Sequence, residues 1–171
     1  MQFRAIFLIS FFFTQSIHAL TIEDQRGKVE IEQKAEWDYE KNLLGLPHVF
    51  LTKDQPERSS LSLTLTGIKG VNLPVKDLRK NQNQYQDGRK SWAKKHDATI
   101  EKFLPYEVLD NKNKVKVHII GMDYKINNVG YLEKSYYAEC PNSFVHLKLL
   151  SPKNEKRIRE ADEMIQSLKC L

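Results

Sequence analysis

Two blocks of alternating strands around one helical stripe predict an α+β fold. The expected form is an antiparallel β-sheet covered by a long central helix and a C-terminal helix, an α/β/α-type sandwich. Three observations predict it. Leu61, Leu63 and Leu65 alternate with Ser62, Thr64 and Thr66, the period-two signature of a strand with one buried face. From Pro74 onward Val75, Leu78, Gln82, Tyr85, Arg89, Trp92, His96 and Ile100 fall three or four apart, the stripe of an amphipathic helix. Alternation then returns at Val115, Val117 and Ile119 and again at Val145, Leu147 and Leu149. The turns between these strands are too short for crossovers, so neighbouring strands must run antiparallel.

Taken in order, residues 20–26 read as a short lead-in. Val29 and Ile31 alternate with Glu30 and Glu32, the first strand. Gly45-Leu46-Pro47 breaks the chain before a strand at 48–52, and Pro56-Glu57-Arg58 turns it into the Leu61–Leu65 strand as a hairpin. Gly67 and Gly70 close that strand, and Pro74 suits the first turn of the following helix. Gln82 and Arg89 interrupt the helical stripe, and Gly88 costs up to about 1 kcal/mol relative to Ala, so two helical pieces are an alternative to one. After Pro105 strands are expected at 106–109 and 115–124, with a bulge near Gly121, where the apolar parity changes. Asn127-Asn128-Val129-Gly130 reads as a hairpin turn, 131–140 as the next strand, Pro141-Asn142 as a turn and 145–149 as the last strand. Ser151 as N-cap and Pro152 at the first helical position start the final helix, with Ile158, Ala161, Ile165 and Leu168 as its stripe.

The N-terminus has a separate character. Arg4, the apolar run 5–13 and the small residue Ala19 give the three-part layout of a cleavable secretory signal peptide, residues 1–19. The apolar run is about half the ~20 residues that a spanning helix needs. Residues 20–171 then form a single globular α+β domain, expected as an exported monomer, periplasmic or secreted, with no transmembrane segment after cleavage. The formal charge of +5 is spread among residues of both signs, which favours solubility and mild attraction to anionic surfaces. Together with export it argues against nucleic acid as a partner. In an oxidising compartment the two cysteines of one small domain, Cys140 and Cys170, are expected to form a structural disulfide. They lack the close spacing of a redox pair.

Several features together resemble a known fold. They are the Trp37-bearing segment after the first strand and the Leu61–Leu65 strand running into the helix with Trp92. The Tyr124 strand, the Gly130-Tyr131-Leu132-Glu133 hairpin and the Cys140 strand followed by a C-terminal helix complete them. With these, most of residues 27–170 resembles the PsbP-like and DcrB-like fold, shared with a nuclear Ran-binding protein family. Members of that group are mainly non-enzymatic: extrinsic photosystem subunits, envelope proteins affecting phage entry or membrane protein assembly, and adaptors. The resemblance implies an accessory or binding role and leaves the partner open, because a fold does not fix a function.

Candidate chemistry is sparse. His118 and His146 fall on neighbouring-strand candidates and could share a face with Asp123 or Glu133, but a metal needs three or four converging ligands, and this spacing does not supply them. Solvated or half-buried sheet positions are the simpler reading, and neither a metal nor another cofactor is expected. No Gly-x-Ser-x-Gly elbow is present, and Glu30/Glu32 and Asp162/Glu163 read as wet faces, so no catalytic residue is assigned. Two basic runs remain, 89–95 and 153–159. A binding surface is expected around Trp92, Arg89, Lys94, Lys95, Tyr131 and Tyr136, for an envelope protein or an anionic surface. The competing reading packs Trp92 and the tyrosines into the sheet-to-helix core. The function that follows is an exported, non-catalytic accessory protein. The alternative is a small extracytoplasmic hydrolase or ligand-binding domain with a site assembled from distant residues, around His118 and His146.

Overall fold

In a computed structural model of the chain, residues 18–67, 75–141 and 143–171 are described. Residues 1–17 of the expected leader, Gly70, Pro74 and Asn142 lie outside the described residues.

Among the described residues, ten strands and three helices are arranged as two antiparallel sheets with helical layers. A meander of β3 (Trp37–Leu43), β4 (Leu46–Thr52) and β5 (Ser60–Gly67) forms one half of the larger sheet. A second meander runs through β6 (Thr99–Asp110), β7 (Lys116–Ile126), β8 (Val129–Glu139) and β9 (Ser143–Ser151). Pairing of β5 with β9 joins them into seven strands, in the order β3-β4-β5-β9-β8-β7-β6. The smaller sheet holds β1 (His18–Asp24), β2 (Gly27–Gln33) and β10 (Lys169–Cys170), with β2 in the middle. Between the meanders lie α1 (Val75–Leu78) and α2 (Gln82–Lys95), and α3 (Glu155–Ser167) follows β9. No helix among the described residues is long and apolar enough to cross a membrane.

The fold class agrees with the sequence, and several details correct it. The lead-in is strand β1, paired with β2 over its whole length, and Ile22 is its buried anchor. β1 includes His18 and Ala19, which lie before the expected cleavage point. The Trp37 segment is edge strand β3; its one large buried residue hides the alternation. The long helix is divided into two pieces, as Gly88 and the polar stripe positions allowed, although the break falls at residues 79–81. The last helix starts later than Ser151. That residue ends β9 with its hydroxyl 2.8 Å from Ser59 Oγ, and Asn154 is the N-cap, accepting from the Arg157 amide at 3.2 Å.

The irregularity near Gly121 sits in the partner strand. Leu104 pairs with Gly121 and Glu107 with Ile119, so Pro105 and Tyr106 bulge out of β6 opposite a regular β7. A Cβ on Gly121 would collide with the Glu133 carbonyl and meet Leu104 Cδ1 at 2.9 Å, which explains the glycine. The parity change along β7 reflects burial on both faces. Val117 and Ile119 face the α3 side, whereas Ile120, Met122 and Tyr124 face the α2 side.

The main core lies on the α3 side. Leu61, Leu63, Leu65, Val145, Leu147 and Leu149 meet Ile22, Val29 and Ile31 of the small sheet and Ala161, Met164 and Ile165 of α3. Fully burying each such side chain contributes about 1.5–3 kcal/mol. Polar groups close the same layer. Trp37 Nε1 donates to Glu160 (2.9 Å), and Arg157 donates to Glu160 (2.8 Å) and, through two nitrogens, to Asp54 (2.6 and 2.7 Å). This two-pronged pairing holds the Asp54 carboxyl below its usual range and locks the β4–β5 loop to α3. At the other end of α3, Asn111 Nδ2 donates to the Ile165 and Leu168 carbonyls, so the β6–β7 turn caps the helix.

Cys140, the residue after β8, is bonded to Cys170 of β10, as expected. The bridge ties the small sheet to the large one. The chain-entropy model gives it about 3.5–4 kcal/mol. The Cys140→Ser/Cys170→Ser double variant is therefore expected to lose about 3–4 kcal/mol in denaturant titration. Labelling of two thiols per chain in the unfolded, unreduced protein would reject the bridge.

Candidate functional site: the α2 layer

Helix α2 covers the other face of the large sheet, over β6, β7 and β8. Its inward stripe is Tyr85, Arg89, Trp92 and Ala93, and only Ala93 is fully buried. An arginine on such a stripe needs an anion beneath it. Glu133 supplies that anion from β8: Arg89 Nη2 donates to its carboxylate at 2.6 Å, and Lys148 Nζ of β9 lies 3.0 Å from the same oxygen. The Glu133 side chain is 5% exposed. A carboxylate this buried is tolerable because two cations flank it.

Aromatic rings frame this charge cluster. The Arg89 guanidinium lies 4.4 Å from the Trp92 ring centroid, a cation–π contact. Trp92 meets Tyr124 edge-on at 5.2 Å, and Tyr124 stacks on its cross-strand partner Tyr131 at 5.5 Å. Tyr85 meets Phe103 edge-on at 6.2 Å. Burial, with Glu133 nearby, pushes the Tyr124 hydroxyl up to about 12 and raises Tyr85 still further. Both remain neutral hydrogen-bonding groups at physiological pH.

A second row crosses the same face. Tyr106 Oη lies 2.6 Å from His118 Nδ1, His118 pairs with Tyr137, and Tyr137 pairs with His146, stacked ring on ring at 4.5 Å. His118 and His146 therefore share a face, with β8 between their strands. Glu133 shares it too, while Asp123 points to the opposite side. Burial, and then Lys148, lowers His146 to about 4. His146 Nε2, Tyr85 Oη and Arg89 Nε are buried without a hydrogen-bond partner among the described residues. Also among the described residues, no group of three or more His, Cys, Asp or Glu is placed to hold a metal ion.

The sequence-predicted surface residues are thus divided. Arg89, Trp92 and Tyr131 come together under α2, with Trp92 turned to the sheet. Lys94 and Lys95 are exposed on the solvent side of the same helix. Tyr136 lies on the opposite sheet face, buried against α3 with its hydroxyl donating to Asp162. Lys148 escaped the sequence reading, and Glu133 entered it only as a neighbour of the two histidines, not as the partner of Arg89. The signal that could have found Glu133 was Arg89 itself, a charge on a buried stripe.

Sequence comparison with family models gives no match, and neither does comparison with curated proteins. Among solved structures, cyanobacterial PsbP from Synechocystis sp. PCC 6803 superposes with a TM-score of 0.61 at 10% identity. The match covers 95% of this chain and 98% of that one. The chain has a PsbP-like α+β fold. LpqN, described as involved in cell envelope biogenesis of Mycobacterium tuberculosis, gives a TM-score of 0.61 at 12% identity, with 90% of each chain covered. At such identities these matches carry the fold alone.

Glu133→Gln leaves Arg89 and Lys148 without their anion and should cost about 3 kcal/mol. It should also speed amide exchange along Gln82–Lys95 before α3 responds; a loss under about 1 kcal/mol would show that the ion pair does not hold α2. His146 is held neutral in the fold, so its contribution is fully present above the free histidine value. That contribution is lost as pH falls from the ordinary value of 6.5 towards about 4. Denaturant titrations across that window should show falling stability, and His146→Gln should flatten the slope; an unchanged slope would assign it to other groups.

Proposed function

We propose that the protein is an exported, non-catalytic accessory protein of the cell envelope or extracellular space that works by binding, through the α2 layer. The observation that carries this reading is the division of labour in that layer. Arg89, Glu133, Lys148, Trp92 and Tyr124 are engaged with one another and fix α2 on the sheet, while Lys90, Lys94 and Lys95 face solvent. The result is a firm, basic platform. The leader-like N-terminus and the disulfide support export, since such bonds persist in oxidising compartments. The PsbP-like fold, shared with an envelope-biogenesis protein, is consistent with this role.

In-cell crosslinking of the tagged protein, followed by mass spectrometry, tests the reading. One reproducible envelope component is expected, on a chain that begins at Leu20, and Lys94→Glu/Lys95→Glu should reduce its capture at least about tenfold, since each charge near a complementary surface is worth about 1 kcal/mol. Capture no greater than for an exported control, or unchanged capture by the variant, would reject it.

One observation favours a second reading, a small polar ligand held between α2 and the sheet. His146 Nε2 and Tyr85 Oη are buried without partners among the described residues, and a ligand could satisfy both. Thermal-shift screening separates the two. A ligand whose stabilisation disappears in both His146→Gln and Tyr85→Phe would support the ligand site.

A further inference from the structure

We infer that the solvent face of α1–α2 docks electrostatically on an anionic lipid bilayer, without inserting into it. Residues 75–95 contain seven Lys or Arg and two Asp, a surplus of five. The whole chain's surplus is also five, so the rest of the molecule is neutral in sum. The entire excess charge is thereby concentrated in one helical layer on one face of the sheet.

The basic groups are presented outward. Arg79, Lys80, Lys90, Lys94 and Lys95 are exposed. Among the described residues only Lys90 of these has an ion-pair partner, Asp87 at 3.0 Å on the same exposed face. Asp77 and Asp97, the other acids of this stretch of chain, are exposed as well. Five cations over three acids leaves a positive field that reaches about 10 Å into 0.1 M salt.

The composition of the face decides between a membrane and a protein partner. Protein interfaces are built on buried aromatic and aliphatic anchors, and lysine is depleted in them. The outer face of α2 offers lysine, asparagine, glutamine and serine, while its aromatic residues are turned to the sheet. Among the described residues, the exposed large apolar ones, Leu44, Leu46, Val108 and Leu171, lie off these helices. A face of this kind gains little from desolvation and much from a dense anionic surface, where each basic residue adds about fivefold to binding. Among the described residues this face has no apolar side to set into the headgroup region, which is what insertion needs.

The inference deepens the binding reading above and rests on it for the compartment, yet it is tested without it. The purified protein is mixed with vesicles of phosphatidylglycerol and phosphatidylcholine, or of phosphatidylcholine alone, and sedimented. The neutral vesicles report any contribution from the apolar residues 5–13. Binding to the anionic vesicles should be at least about tenfold stronger and should disappear at high salt. Lys80→Glu/Lys94→Glu/Lys95→Glu should weaken it at least about tenfold. An equal reversal on other exposed positions, Lys41→Glu/Lys112→Glu/Lys114→Glu, should leave it within about threefold, because screening confines each charge to its own surroundings.

Equal binding to both vesicle types, or equal losses in the two triple variants, would overturn the inference. So would failure to bind anionic vesicles at low salt. If the first triple variant then lost a captured envelope protein in cells, the face would be assigned to an acidic protein, and the accessory reading would survive.

Discussion

The ladder between β5 and β9 is the contact on which the remainder of the molecule depends. Each meander is a run of local hairpins, and neither buries its leucines alone. Eight residue pairs, from Ser60 with Leu150 to Gly67 with Ser143, bring together strands some eighty residues apart. They place Leu61, Leu63 and Leu65 beside Leu149, Leu147 and Val145 on one face. That continuous apolar strip is what α3 and the small sheet cover. Because side chains alternate, a slip of one residue would send the whole set to the α2 side, so hydrophobic burial fixes the register.

The two covers of the sheet are built differently. On the α3 side apolar burial is extensive, and the polar groups there are locked by Arg157, Glu160, Asn111 and the disulfide. On the α2 side the helix buries Ala93 alone, and a buried carboxylate with two cations and a train of aromatic edges takes the place of a leucine core. Such an arrangement fixes orientation well, since ion pairs and ring edges are directional, but it gives less burial energy than methyl groups. The outer surface of α2 is then free of any duty to the core. It can be almost wholly polar and carry the charge of the chain.

Legibility in the sequence followed how local each cause was. Leu61–Leu65 and Val145–Leu149 were legible because one face of each strand is apolar and the other polar. The α2 stripe was legible down to Tyr85 and Trp92, and its flaw at Arg89 was the trace of Glu133. β1 and β3 were less visible: β1 anchors on Ile22, and β3 on Trp37, one fully buried residue each, too few to establish a period. Ser151 and Pro152 imitate a helix start. The backbone instead ends β9 there, where the Ser151 hydroxyl meets Ser59, a residue that no local pattern connects to it.

The sequence by itself determined most of the element types, the α+β class, the disulfide partners and the basic character of 89–95. These depend on residue spacing, turn chemistry and counting. Only the tertiary structure decided which face each side chain joins and what it meets there. Tyr131 and Tyr136 lie five residues apart on one strand, yet one stacks under α2 and the other donates to Asp162 of α3. His118, Tyr137 and His146 become one row only because β8 lies between β7 and β9. Odd spacing along a strand sends side chains to opposite layers, and the chemistry of each layer is set by residues brought in from far along the chain.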